Sequence, residues 1–230
     1  MRNFIKKDEI TVLGVYSISL NCILKSKIAD EDTIAHLLFK RKSGDSMSDR
    51  NNEFTFRLCS YLLSYPSQQF LDSIIDIEEE LLSLTAPVNI KNELAQFCKK
   101  AKKIGLNELI HIFIQTFDFG KKTNLYVTYM SNGEQRERGL ELLFLKNYYQ
   151  FHGFEMTEKE LPDYLPVMLE FASQVSEEVM KPLFERYLSN IKEIIDHLDP
   201  EQNLYGHILK AVWLALENAG VTKPLQRSEA

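Results

Sequence analysis

Five histidines, three cysteines and several clusters of charge are the side chains of this chain that could carry chemistry. His36, His111, His152, His197 and His207 are scattered over different predicted helices and loops. No His-x-x-x-His or Glu-x-x-His pair sets two metal ligands on one helical face, and Asp196-His197 is not a metal-dependent phosphohydrolase signature. Cys22, Cys59 and Cys98 are odd in number, far apart and flanked by apolar residues. They read as buried free thiols of a reducing compartment, not as a disulfide framework or a thiolate metal site. Nucleophile elbows, phosphate-binding loops and glycine-rich dinucleotide loops are missing from the sequence. The expectation is a protein with no catalytic residue, no metal and no cofactor of its own.

The charged clusters suggest gripping instead. Arg136 and Arg138 stand beside Gly139, and Glu160-Leu-Pro-Asp163 follows with Pro166 close behind. A planar guanidinium favours bidentate pairing with carboxylates, so the acidic cluster is the natural intramolecular partner of the arginines. On the favoured reading Arg136, Arg138, Gly139, Glu160, Pro162 and Pro166 are structural: they fix a long helix against a proline-broken one and shape a groove. Asp118, Tyr126, Asp163, Leu165 and Glu170 are the residues placed nearest a bound peptide. Carboxylates beside exposed aromatics suit a basic amphipathic helix, which would put apolar anchors in the groove and cations on its rim. The plainer alternative is that Asp163 caps its helix and Glu170 is solvated.

The elements that would position these residues are helices. Phe54, Leu58, Tyr61, Leu62 and Tyr65 make one apolar stripe, stopped at Pro66, and Ser67 can cap a second helix bearing Phe70, Leu71, Ile74, Ile75, Leu81 and Leu82. Two shorter helices, about Ile90 to Lys103 and Asn107 to Phe117, are separated at Gly105. Lys121 to Met130 has strand-like composition but no partner strand, so it reads as an extended loop or a helical continuation. A longer helix from about Glu134 to Phe151 carries Leu140, Leu143, Phe144, Tyr148 and Phe151 as its core-facing stripe. Thr157-Glu-Lys-Glu160 fits a capping box, and the prolines after it bend or break the helix and expose backbone carbonyls. Helices from about Glu177 to Leu198, with Pro182 inside, and from about Leu204 to Ala219 complete an all-α single domain of about eight helices, with the proline-broken one near 157–174.

Length and composition agree with that picture. A chain of 230 residues with 44% hydrophobic content can bury a full core without a metal or disulfide staple. Its formal charge of −6 leaves no concentrated basic face, which argues against nucleic acid and favours a basic peptide. Ile10 to Leu24, behind Arg2, Lys6 and Lys7, is shorter than the ~20 residues of a membrane span and is interrupted by Ser17, Ser19 and Asn21. The chain therefore reads as cytoplasmic, without direct membrane insertion. Residues 1–46 read as an N-terminal extension of low order, with Met47 as an alternative start, 47–222 as the helical domain and 223–230 as a disordered tail.

On Arg136-x-Arg138-Gly139 and Glu160-Leu-Pro-Asp163 with Leu165, Pro166, Leu169, Glu170 and Phe171, the stretch from Phe54 to Ala219 resembles the nitrate reductase assembly chaperones, the delta-subunit family. The resemblance implies an all-helical, non-catalytic cytoplasmic protein. Such a protein binds the N-terminal region of the apo nitrate reductase catalytic (alpha) subunit, keeps it competent for molybdenum cofactor insertion, makes transient contact with cofactor delivery proteins, and is absent from the finished enzyme. Three rivals stand beside it: a chaperone of another molybdoenzyme, an all-helical hydrolase using dispersed histidines, and a structural subunit retained in the complex.

Overall fold

The computed structural model describes residues 4–6, 47–83, 86–120, 122–129, 135–156 and 160–224. Several expectations fall outside them: the Ile10–Leu24 segment with Cys22, His36, the first three residues of the capping box, and the tail beyond 224. The described residues form an all-α domain. Its helices are α1 (Met47–Leu62), α2 (Gln68–Ser83), α3 (Val88–Phe113), α4 (Gln135–Phe151), α5 (Leu165–Ala172), α6 (Glu177–Asp196) and α7 (Tyr205–Asn218), and a π-helical turn, Ile114–Asp118, extends α3. Two three-residue strands, β1 (Phe4–Lys6) and β2 (Phe154–Met156), pair antiparallel with Ile5 opposite Glu155.

Local chemistry explains the boundaries. The Phe70 amide donates to Ser67 Oγ at 3.2 Å, so α2 starts where a serine caps it. Gly105 has φ 77° and ψ 175° inside α3, so the helix is kinked there into the two pieces the sequence suggests. Pro166 lies in the first turn of α5, where a missing amide costs nothing, and α5 begins only at Leu165.

Packing centres on α3 against α7 and on α1 against α5 and α7. Phe97, Phe113 and Phe117 surround Tyr205 with ring centroids 5.4, 5.6 and 5.1 Å away. Asn52, buried in α1, donates to Glu177 at 2.6 Å and accepts from Asn218 at 2.9 Å, tying α1 to α6 and α7. All eight residues of α5 are buried, including Glu170, so this short helix is the core's axis, apolar nearly all round. Cys59 and Cys98 are free and buried; burial pushes the Cys98 thiol up to about 12 and Cys59 further.

One expectation about burial fails. In α4 it is Leu145 and Tyr149 that are buried, with Phe144 and Tyr148 half-covered, whereas Leu140 is 62%, Leu143 54% and Phe151 85% exposed. Helical periodicity identified an apolar stripe, but the core takes only its flank, and the other flank faces outward. Ile75 and Leu82 in α2 and Tyr65 after α1 are exposed in the same way.

Candidate functional site

The site grows from what two chain breaks do to the backbone. The first is Thr116-Phe117-Asp118, which forms the π-helical turn: the Phe119 amide reaches back to the Ile114 carbonyl at 3.0 Å. Thr123 Oγ1 donates to the Thr116 carbonyl, Asn203 donates to Thr116 Oγ1 at 2.6 Å, and a Cβ on Gly120 would lie 2.0 Å from the Thr116 carbonyl oxygen. Only glycine fits there. The turn leaves Asp118 and Phe119 exposed.

From this turn the chain runs as a strap over residues 125–128. Leu125 accepts from the Leu165 amide at 2.8 Å, the Val127 amide donates to the Asp163 carbonyl at 2.9 Å, and Tyr126 bridges antiparallel to Tyr164. The strand-like run, expected to be an unpaired loop or a helical continuation, therefore does find a partner, the proline turn itself. Asn190 of α6 donates to the Val127 carbonyl at 2.9 Å and holds the strap's other side.

The second break is the proline turn at 160–164. Pro166 has no amide to offer the Pro162 carbonyl, and buried Tyr149 of α4 supplies the missing donor at 2.8 Å. Ser60 of α1 donates to the Pro166 carbonyl at 2.7 Å. The carbonyls that the sequence reading left exposed are thus satisfied inside the protein.

The structure brings Asp118, Tyr126, Arg138, Glu160, Asp163 and Tyr164 into one neighbourhood. Tyr126 donates to Glu160 at 3.0 Å, and its ring lies 5.1 Å from that of Tyr164. Burial, then the Glu160 carboxylate, pushes the Tyr126 hydroxyl up to about 12. Burial also pushes Tyr164 up, helped by the negative charges of Glu160 and Asp118. Both phenols stay neutral donors at physiological pH, among carboxylates.

Asp163 is 0% exposed. One of its oxygens accepts from Thr128 Oγ1 at 2.6 Å, from the Thr128 amide at 3.3 Å and from Arg138 at 3.4 Å. Arg138 in turn lies 5.5 Å from the centre of the exposed Tyr129 ring. Arg136 and Gly139 are exposed. Glu170 and Leu165 are buried in α5, and Asp163 precedes that helix, so Asp163 and Glu170 do not share one helical face. Pro162 is buried beneath the turn, while Leu161 is 41% exposed.

Sequence reasoning missed Thr128, Tyr149 and Tyr164, each of which works through a contact between segments far apart in the chain. It also missed a clamp between α4 and α6: Arg186 pairs with Glu141 at 3.0 Å over the Phe144 ring, 4.2 Å away, and Tyr187 donates to the same carboxylate at 2.6 Å. Among the described residues no group of three or more His, Cys, Asp or Glu side chains could hold a metal, and no helix is long and apolar enough to cross a membrane.

The fold and site together define an all-helical protein in which a strap and a proline turn are joined over the buried Asp163 carboxylate, with apolar side chains of α4 left in water. The sequence profile of the nitrate reductase delta subunit matches residues 83–211, and the chain belongs to that family. It is 43% identical over 180 residues to the probable nitrate reductase molybdenum cofactor assembly chaperone NarJ of Bacillus subtilis, an alignment covering 78% of this chain and 97% of that one. It is also 36% identical over 63 residues to NarJ of Escherichia coli, 27% of each chain. With the nitrate reductase-like protein NarX of Mycobacterium tuberculosis it shares 28% identity over 160 residues, 70% of this chain but 24% of NarX.

Proposed function

We propose that this protein is a system-specific chaperone that binds the N-terminal region of the apo nitrate reductase alpha subunit. It holds that subunit competent for molybdenum cofactor insertion and complex assembly, then leaves. The chain is not an enzyme. The observation that carries this reading is its 43% identity along 97% of a relative named as such an assembly chaperone. The cytoplasm is the compartment in which an apo subunit awaits cofactor, and transient contact with cofactor delivery proteins belongs to the same reading.

The docking face we favour is the outward flank of α4, with Leu140 and Leu143, continued by Tyr129 and Leu161 and rimmed by Asp118, Tyr126 and Glu160. Exposed apolar side chains of this size beside carboxylates suit a basic amphipathic client segment. Asp163 and Leu165 act on the client from beneath, by fixing the turn and strap that present Tyr126 and Leu161, while Glu170 is buried within α5. A Kd of about 1 μM corresponds to about −8 kcal/mol and needs only a few such anchors.

Two measurements test the proposal. Deleting the gene is expected to yield nitrate reductase poor in molybdenum; a fully metallated, active reductase would overturn the function. Leu140→Ser with Leu143→Ser, at positions outside the core, is expected to weaken calorimetric binding of the client's N-terminal peptide at least about tenfold. Unchanged affinity would remove the α4 face from the site.

A further inference from the structure

Gly139 differs from the other described glycines. Gly105, Gly153 and Gly220 have positive φ, and a Cβ on Gly120 or Gly206 would come within 2.0 or 2.6 Å of a backbone oxygen, so conformation or space accounts for each of these. Gly139 has neither reason. It lies in the interior of α4, is exposed, and a Cβ there would meet nothing within 4 Å among the described residues, the backbone of its own helix aside. Alanine would serve the fold better, since glycine weakens a helix interior. The structural role expected of the arginine-glycine cluster falls to Arg138, which reaches the proline turn. What Gly139 does is shape a surface. Arg136, Gly139, Leu140 and Leu143 stand at i, i+3, i+4 and i+7, so they share one face of α4, and all of them are exposed. Residues at that spacing form the hole that receives one side chain of a facing helix. With a hydrogen in place of a side chain at Gly139, this hole is open down to the helix backbone.

We infer that the hole formed by Arg136, Gly139, Leu140 and Leu143 seats one large apolar side chain of the client's N-terminal segment, bound as an amphipathic helix, and that Gly139 sets the depth to which it enters. The spacing of the hole calls for a helix as occupant, and Leu140 and Leu143, 62% and 54% exposed, call for hydrocarbon. Charge points the same way. Arg138, the residue before Gly139, is committed to Asp163, so the hole opens beside the proline turn whose Glu160 carboxylate complements cations on the client helix. Arg136 at the remaining corner disfavours a cation in the hole itself, so the seated side chain is neutral. This inference rests on the chaperone reading and names the residue by which the α4 face selects the size of a client anchor.

The test uses the full chain with Gly139→Ala and, separately, Gly139→Leu. Urea unfolding reads stability, calorimetry reads binding of a synthetic peptide of the cognate alpha subunit's N-terminus, and light scattering reads mass. The urea midpoint is expected to rise by about 0.3 M in Gly139→Ala, which gains helix propensity where a Cβ meets no neighbour. Peptide affinity is expected to fall as the side chain grows, at least about tenfold for leucine, because a filled hole cannot seat the anchor. A more stable protein that binds its client less tightly is a result that no structural role for this glycine produces. A lower midpoint in Gly139→Ala means that the glycine serves the fold, and unchanged affinity in Gly139→Leu means that the hole stays empty in the complex. Either outcome overturns the inference and leaves the chaperone reading standing. A dimeric wild type made monomeric by Gly139→Leu identifies a second copy as the occupant and overturns the client assignment. Failure of the peptide to bind wild type overturns both the inference and the leader-binding part of the chaperone reading.

Discussion

Replacing Arg138 with methionine removes a cation paired with a carboxylate that has no solvent exposure, and the cost can be worked from the site. Asp163 keeps Thr128 Oγ1 at 2.6 Å and the Thr128 amide at 3.3 Å, but loses the guanidinium at 3.4 Å. Removing one member of a fully buried ion pair costs about 3–5 kcal/mol. The Arg138 side chain is 25% exposed and its contact is long, so water screens part of the charge and about 2 kcal/mol is the better figure. Loss of the cation over exposed Tyr129 adds about 0.5 kcal/mol. Urea unfolding followed by circular dichroism reads this directly. With a slope of about 3 kcal/mol/M, the midpoint falls by slightly under 1 M. Asp163→Asn and the double variant complete a cycle in which the charge pairing shows as about 1–2 kcal/mol of non-additivity. A single-variant loss below about 0.5 kcal/mol, or strict additivity, would refute the claim that this pair locks α4 to the proline turn.

Tyr149→Phe leaves the Pro162 carbonyl buried without its donor and is expected to cost about 1–3 kcal/mol in the same assay; a neutral result would mean another donor serves that carbonyl. In a Cys22→Ser background, Cys59 and Cys98 are expected to resist a thiol reagent at pH 8 until the protein unfolds, and rapid labelling of the native state would contradict their burial. Folded Cys98 holds its proton to about 12, whereas the unfolded thiol releases it near 9.0. Its contribution to stability is therefore complete below pH 9 and declines as pH rises toward 12; Cys98→Ala should flatten that alkaline slope in pH-dependent urea melts.

How much of this was legible in the sequence depends on whether a feature is local. Ser67, Gly105 and Pro166 act within a turn of themselves, and the breaks they signal lie where the chain makes them. Of the arginine cluster and the Leu-Pro-Asp cluster, Arg138 meets Asp163, while Arg136 is exposed. What was not legible is the answer each break receives. The tyrosine that satisfies the Pro162 carbonyl comes from another helix, and the partner of the 125–128 strap is a turn with no strand signature. Periodicity likewise found the apolar stripe of α4 but says only that such residues share a side; which neighbour covers them is a tertiary fact, and here Leu140, Leu143 and Phe151 receive none of the core.

That outward flank of α4 carries a thermal consequence. Whatever seats on Leu140, Leu143 and Phe151 withdraws hydrocarbon from water, so its association carries a negative heat capacity. The entropic drive behind such contacts fades on cooling. A partner seated at this face would therefore be held less tightly in the cold, and chilling would loosen it.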